Sequence, residues 1–217
     1  MLQLLIKDIR IQKKFILLGF VFIGVFFFIL GAFEGMPLTV PAAILSHFLI
    51  VVASKSDEKN NNGRMLASFP LRRIDIVTAK YAGVVMFISL SFLLTLLWRG
   101  LAGLVLPVQE MPWFSLQSVI LTLAVLLVFY AIYFPLFFAT GPRLVQVLDL
   151  IVIMSVGGAL VIAIRVMEWL DIPVGNFLHN WLTSDYLTGM FWLLGASLLL
   201  IILSWCVSLF VYTNRSV

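Results

Sequence analysis

The sequence predicts an all-α polytopic membrane protein with six transmembrane helices, an N-terminal interfacial amphipathic helix and a cytoplasmic polar loop. Three observations carry that prediction. Of the 217 residues, 63% are hydrophobic and only 11% are charged, and mean hydropathy is +1.14. A soluble domain of this size does not bury that much apolar surface. The apolar residues fall into six runs, each long enough to cross a hydrocarbon core of about 30 Å at a rise of about 1.5 Å per residue. Of the 14 basic residues, 12 are gathered in short segments at one end of the runs.

Residues 1–14 are amphipathic. Leu2, Leu5, Ile6 and Ile9 recur at helical spacing, while Gln3, Lys7, Arg10 and Lys14 form a separate stripe. Such a helix lies in the membrane interface with its cationic stripe toward anionic headgroups; the other reading is that it extends the first span. The basic start leads into a long apolar run with no Ala-x-Ala site, unlike a cleaved signal peptide. The expected spans are Phe15–Phe33, Leu38–Ser54, Val77–Trp98, Leu116–Ala139, Leu144–Met167 and Thr188–Tyr212. Pro41 stands in the first turn of the second span, where proline is tolerated.

Six spans put both termini on one side, and charge identifies that side. Lys7, Arg10, Lys13, Lys14, Lys55, Lys59, Arg64, Arg72, Arg73, Lys80, Arg143 and Arg215 share one face, leaving only Arg99 and Arg165 of the 14 basic residues on the other. The bias of Lys and Arg toward the cytoplasm makes the shared face internal. Glu34, Glu110, Glu168, Asp171 and Asp185 lie opposite. Trp98, Trp113, Trp169, Trp181 and Trp192 gather there as an aromatic belt would. The net charge of +4 thus reports membrane orientation, not nucleic-acid binding. Gly19, Gly24 and Gly31 in the first span are small enough to admit a second copy of the chain.

Catalysis has little to work with. The two histidines, His47 and His179, fall in different spans or loops, and no His-Glu-x-x-His occurs. Ser46 and His47 are adjacent, so on a helix they point about 100° apart and do not form a nucleophile–base pair. The single cysteine, Cys206, precludes an intramolecular disulfide. No Gly-x-x-x-x-Gly-Lys-[Ser/Thr] loop is present, so any ATP-driven work needs an ATPase on another chain. No cofactor is expected on this one.

Ionisable groups inside spans are functional candidates because burying charge in hydrocarbon is costly. Asp149 lies about two turns into the fifth span, within reach of a pairing with Arg143. Arg165 and Glu168 share a helix face three residues apart. Both sets admit structural pairing or a place on a translocation path.

The segment around residues 55–76 is the polar island of the chain. Gly63, or an asparagine before it, can cap a short helix over Arg64–Ser68, and Pro70 ends it. The stretch Arg64-Met65-Leu66-Ala67-Ser68-Phe69-Pro70-Leu71-Arg72-Arg73-Ile74-Asp75-Ile76-Val77-Thr78-Ala79-Lys80-Tyr81 resembles the cytoplasmic loop of small bacterial ABC type-2 permeases. Leu66, Ser68, Pro70, Arg73, Ile76, Val77, Lys80 and Tyr81 fit that pattern, with Phe69 and Arg72 departing from it. The six-span plan and basic amino terminus extend the resemblance over the whole chain, as one permease domain.

The resemblance implies a loop that docks on a separate nucleotide-binding subunit. Arg64, Met65, Leu66, Phe69, Pro70, Arg72, Arg73 and Asp75 are then the coupling residues. Phe69 is the apolar knob, and Arg72, Arg73 and Asp75 pair with surface charges. It further implies two permease chains, identical or paralogous, and two ATPase chains carrying ATP and Mg, in a bacterial cytoplasmic membrane. Relatives export amphipathic or antimicrobial peptides, and others lipids or drugs. The reading from another class is a membrane scaffold or immunity protein, with an intramembrane enzyme third.

Overall fold

The computed structural model describes residues 2–28, 38–59, 72–104, 114–140, 147–155, 158, 165 and 186–214. Among the described residues the elements are helices: α1 (Leu2–Phe28), α2 (Thr39–Lys59), α3 (Arg73–Ala102), α4 (Leu116–Ala139), α5 (147–155) and α6 (Tyr186–Asn214). Among the described residues three regions are long and apolar enough to cross a membrane, Arg73–Ala102, Leu116–Ala139 and Thr188–Asn214, with Thr39–Lys55 a shorter apolar helix.

Several boundaries differ from the sequence reading for a common reason. α2 continues past the second span to Lys59, and α3 begins at Arg73, four residues before the third. Glu, Lys and Arg are good helix formers, so a helix need not stop where its apolar run stops. The polar island predicted over 55–76 is therefore helical at both ends. Residues 60–71, with Arg64, Met65, Leu66, Phe69 and Pro70, lie outside the described residues. Likewise, residues 1–14 are not a separate helix: α1 runs unbroken from Leu2 to Phe28. Its 27 residues span about 40 Å, more than the hydrocarbon core.

The chain divides into two compact units, Met1–Thr122 with Tyr212–Val217, and Leu123–Val211. In the first, α1, α2 and α3 pack on one another. Phe15 meets Phe48 with ring centroids 6.0 Å apart, and Gly19 lies against Leu45, so α1 and α2 run antiparallel. Asp8 reaches Lys80 while Phe20 and Gly24 meet Trp98, so α1 and α3 run parallel. Ile23, Leu45, Leu49, Val77, Val84 and Phe87 fill the space between them.

The glycines that were candidates for a contact between copies are used inside the chain. A Cβ on Gly19 would collide with the Leu45 side chain, and one on Gly24 would come within 2.5 Å of the Trp98 ring. Trp98 is more than a belt residue: its indole Nε1 donates to the Phe20 carbonyl at 2.6 Å, and its ring lies 4.8 Å from that of Phe20. Gly31 lies outside the described residues. Hydroxyls buried in this unit are satisfied along their own helices. Ser46 donates to the Ala42 carbonyl at 2.6 Å, Ser54 to Ile50 at 3.0 Å, Ser91 to Phe87 at 2.9 Å and Thr95 to Ser91 at 2.8 Å. That is how polar side chains enter an apolar interior without the cost of an unmade bond. At the start of α4, Ser115 caps the helix, its Oγ accepting the Ser118 N–H at 3.1 Å.

In the second unit α4 carries an aromatic column. Tyr130, Tyr133 and Phe134 are almost wholly buried, and each contacts rings three or four residues away. Leu148 and Val152 of α5 are buried, as are Met190, Ser197, Ser204 and Ser208 along one stripe of α6. The rest of α6 is outward-facing and apolar, as at Leu199, Leu203 and Phe210, the surface a lipid-exposed helix presents.

Candidate functional site

The polar groups of the first unit meet where α1 and α3 begin and α6 ends. α3 starts without a side-chain cap: Arg72 is extended at φ −72° and ψ 141°. Its carbonyl takes the Asp75 N–H at 2.9 Å, and Asp75 places a carboxylate in the first turn, where the helix dipole favours it.

Arg73 turns to the last turn of α6. Its Nη1 donates to the carbonyls of Tyr212 and Thr213, at 3.2 and 2.5 Å. These carbonyls belong to the final turn, whose oxygens have no partner within the helix, and a cation is favoured there by the dipole. Arg73, one of the residues predicted to touch an ATPase, thus has its guanidinium engaged inside the chain. Two turns further along α3, Lys80 Nζ lies 3.9 Å from Asp8 Oδ2, and Lys7 Nζ lies 3.3 Å from Asp8 Oδ1. Asp8 is 8% exposed.

Asp8 was missed by the sequence reading, which followed the apolar stripe of residues 1–14. The face of α1 that packs is instead Asp8, Gln12, Gly19 and Ile23, all buried, while Ile6 and Ile9 are exposed. A signal existed: these four positions follow helical spacing and join the polar start of α1 to its glycine face. Gln12 is fully buried, and among the described residues neither its amide oxygen nor its nitrogen has a hydrogen-bond partner. Arg73 is brought together with α6, and Arg72 and Asp75 lie on the same end of α3 as Lys80.

The intramembrane candidates fall elsewhere. Asp149 on α5 is half-buried and sits within electrostatic reach of Tyr130 on α4. Arg165 is helical and exposed. Its expected partner Glu168, and Arg143 beside Asp149, lie outside the described residues. Among the described residues no three His, Cys, Asp or Glu side chains are grouped to hold a metal ion.

The family described as ABC-2 family transporter protein matches residues 3–213. The chain belongs to that family. Comparison with curated proteins and with solved structures gave no match. The family match covers α1 through α6, so the helices described above are the membrane domain of an ABC-2 permease, a transmembrane subunit of an ABC transporter. The ABC-2 permease family implies an ABC ATPase as partner.

Proposed function

We propose that this permease forms half of the membrane pathway of an ATP-driven exporter in a bacterial cytoplasmic membrane. It moves an amphipathic or antimicrobial peptide, or another hydrophobic compound, outward. Two permease chains, identical or paralogous, join two nucleotide-binding subunits that carry ATP and Mg. The supporting observation is the convergence of the starts of α1 and α3 with the end of α6, through Asp8, Lys80 and Arg73. α3 follows the segment 60–71 on the chain and α2 precedes it, and that segment is a polar stretch with the length to dock on a soluble subunit.

Within it, Phe69 is the anchor, supported by Met65, Leu66 and Pro70, with Arg64, Arg72 and Asp75 at the rim. Buried aromatic anchors contribute more to an interface than rim charges do. Asp149 and Arg165 are the positions through which cargo contact is best sought, since polar groups inside a membrane mark pathways by default. The basic helix ends face the cytoplasm, with both termini inside.

Affinity purification of the tagged permease tests the assignment. A stoichiometric ATPase with a P-loop, whose hydrolysis the permease alters, is the expected result. Purification of the permease without such a subunit from its native membrane overturns it and favours a scaffold. Orientation is checked by single cysteines at Ser56 and Asn176 with Cys206 replaced: an impermeant thiol reagent should label only the Asn176 position on intact cells.

A further inference from the structure

The outward ridge of α1 changes chemistry along its length. Lys7, Ile11, Lys14, Leu18, Phe22 and Val25 succeed one another at three- and four-residue steps, so they lie on one side of the helix. That side lies about 100° round the helix from the packed face of Asp8, Gln12, Gly19 and Ile23. Near the start of the ridge is a hollow of about 390 Å³ lined by Gln3, Ile6, Lys7, Arg10 and Ile11. Further along lies an apolar groove of about 460 Å³ between α1 and α2, walled by Leu18, Val21, Phe22, Val25, Ile44 and Phe48.

We infer that the two hollows are one site and that its occupant is a single anionic phospholipid. The first hollow suits a phosphate diester. Lys7 and Arg10 supply charge, Gln3 adds an amide donor, and the amino end of α1 adds the positive pole of its dipole. Lys7 also lies beside Asp8, so Arg10 and the neighbouring Lys14 carry the larger share. The second hollow suits an acyl chain because its walls are hydrocarbon. The spacing agrees: Arg10 to Val25 is about 22 Å along the axis, and headgroup layer to bilayer midplane is about 20–22 Å. A second copy of the chain would fill only the apolar groove, whereas a phospholipid also brings an anion to Arg10.

The test uses purified full-length permease exchanged from native lipid into neutral phosphatidylcholine nanodiscs containing a small fraction of phosphatidylglycerol. Retained lipid is counted by native mass spectrometry. Wild type should hold one phosphatidylglycerol per chain in preference to phosphatidylcholine. Arg10→Gln should lower that preference about fivefold, from roughly 1 kcal/mol per basic residue at a membrane surface. Lys13→Gln removes the same charge off the ridge and should change it little. Val21→Trp and Ile44→Phe, which fill the groove from its two walls, should each release the lipid while helicity and monodispersity are kept.

Equal loss in Lys13→Gln would reduce the effect to diffuse charge and overturn the site. Retention unchanged in both groove variants would overturn the acyl half. Equal retention of phosphatidylcholine would overturn the headgroup half. Disulfide-linked dimers through Val21→Cys, with Cys206 replaced and no lipid retained, would give the groove to a second copy and overturn the whole inference.

Discussion

Arg73, the first residue of α3, donates through one guanidinium nitrogen to the carbonyl of Thr213 in the last turn of α6. A residue that a linear reading assigns to an external partner is thereby also a cap on the chain's own final helix. Both bonds, to Tyr212 and to Thr213, run through Nη1 of a guanidinium that carries five donors in all.

Arg73→Gln should loosen the end of α6 by on the order of 1 kcal/mol, the net worth of a hydrogen-bonded cation at a helix carboxyl end. Hydrogen exchange of the amides from Phe210 to Asn214 should then quicken about fivefold. Arg73→Lys should recover part of the protection, since an ammonium can still donate to those carbonyls. Exchange identical to wild type in Arg73→Gln would show that the bond does not hold the helix end.

The Asp8–Lys80 pair gives a different expectation because Asp8 is buried. Removing one partner leaves the other charge unpaired in a poorly solvated place, and this costs more than removing both. In a cycle of Asp8→Asn, Lys80→Met and the double variant, the coupling energy should be about 1–2 kcal/mol. Unfolding monitored in detergent or bicelles measures it. Additive single effects would mean that the two charges do not stabilise one another.

Gly24 should tolerate no side chain while Trp98 stands over it. Gly24→Ala puts a methyl within 2.5 Å of the ring and should destabilise by about 1–3 kcal/mol, the usual cost of overpacking. In a Trp98→Leu background the same change should cost much less. A Gly24→Ala protein that is as stable as wild type would show that the Trp98 ring does not depend on the missing side chain.

Phe69→Ala should weaken docking of the ATPase by roughly 1–3 kcal/mol, the range of a buried aromatic anchor, with insertion and topology unchanged. Titration of the ATPase onto reconstituted permease reads this directly. Unaltered affinity and unaltered hydrolysis in a folded variant would remove Phe69 from the interface, and the same result on deleting residues 64–75 would remove the segment.

Membrane class and the bounds of an apolar helix such as Leu116–Ala139 were legible from the sequence because each depends on a one-dimensional property. Hydropathy averaged over about 20 residues marks a span whatever it packs against. The Leu116–Ala139 span has the same bounds in both readings, since Ser115 caps one end and the apolar run stops at the other. The family resemblance carried by Leu66 to Tyr81 was likewise legible, and the family match over residues 3–213 bears it out.

What only the tertiary structure decided is which face of each helix meets which neighbour. Periodicity shows that α1 has two faces but does not say which one is covered. The apolar stripe of Ile6 and Ile9 is the natural choice in water, where burial drives packing. In a bilayer lipid covers apolar side chains as well as protein does. The inner face is then free to hold the small and polar residues, Asp8, Gln12, Gly19 and Gly24, that let Lys80, Leu45 and Trp98 approach. The register between helices, not composition, turns Lys80 into the partner of Asp8 and places Arg73 on the carbonyls of Tyr212 and Thr213.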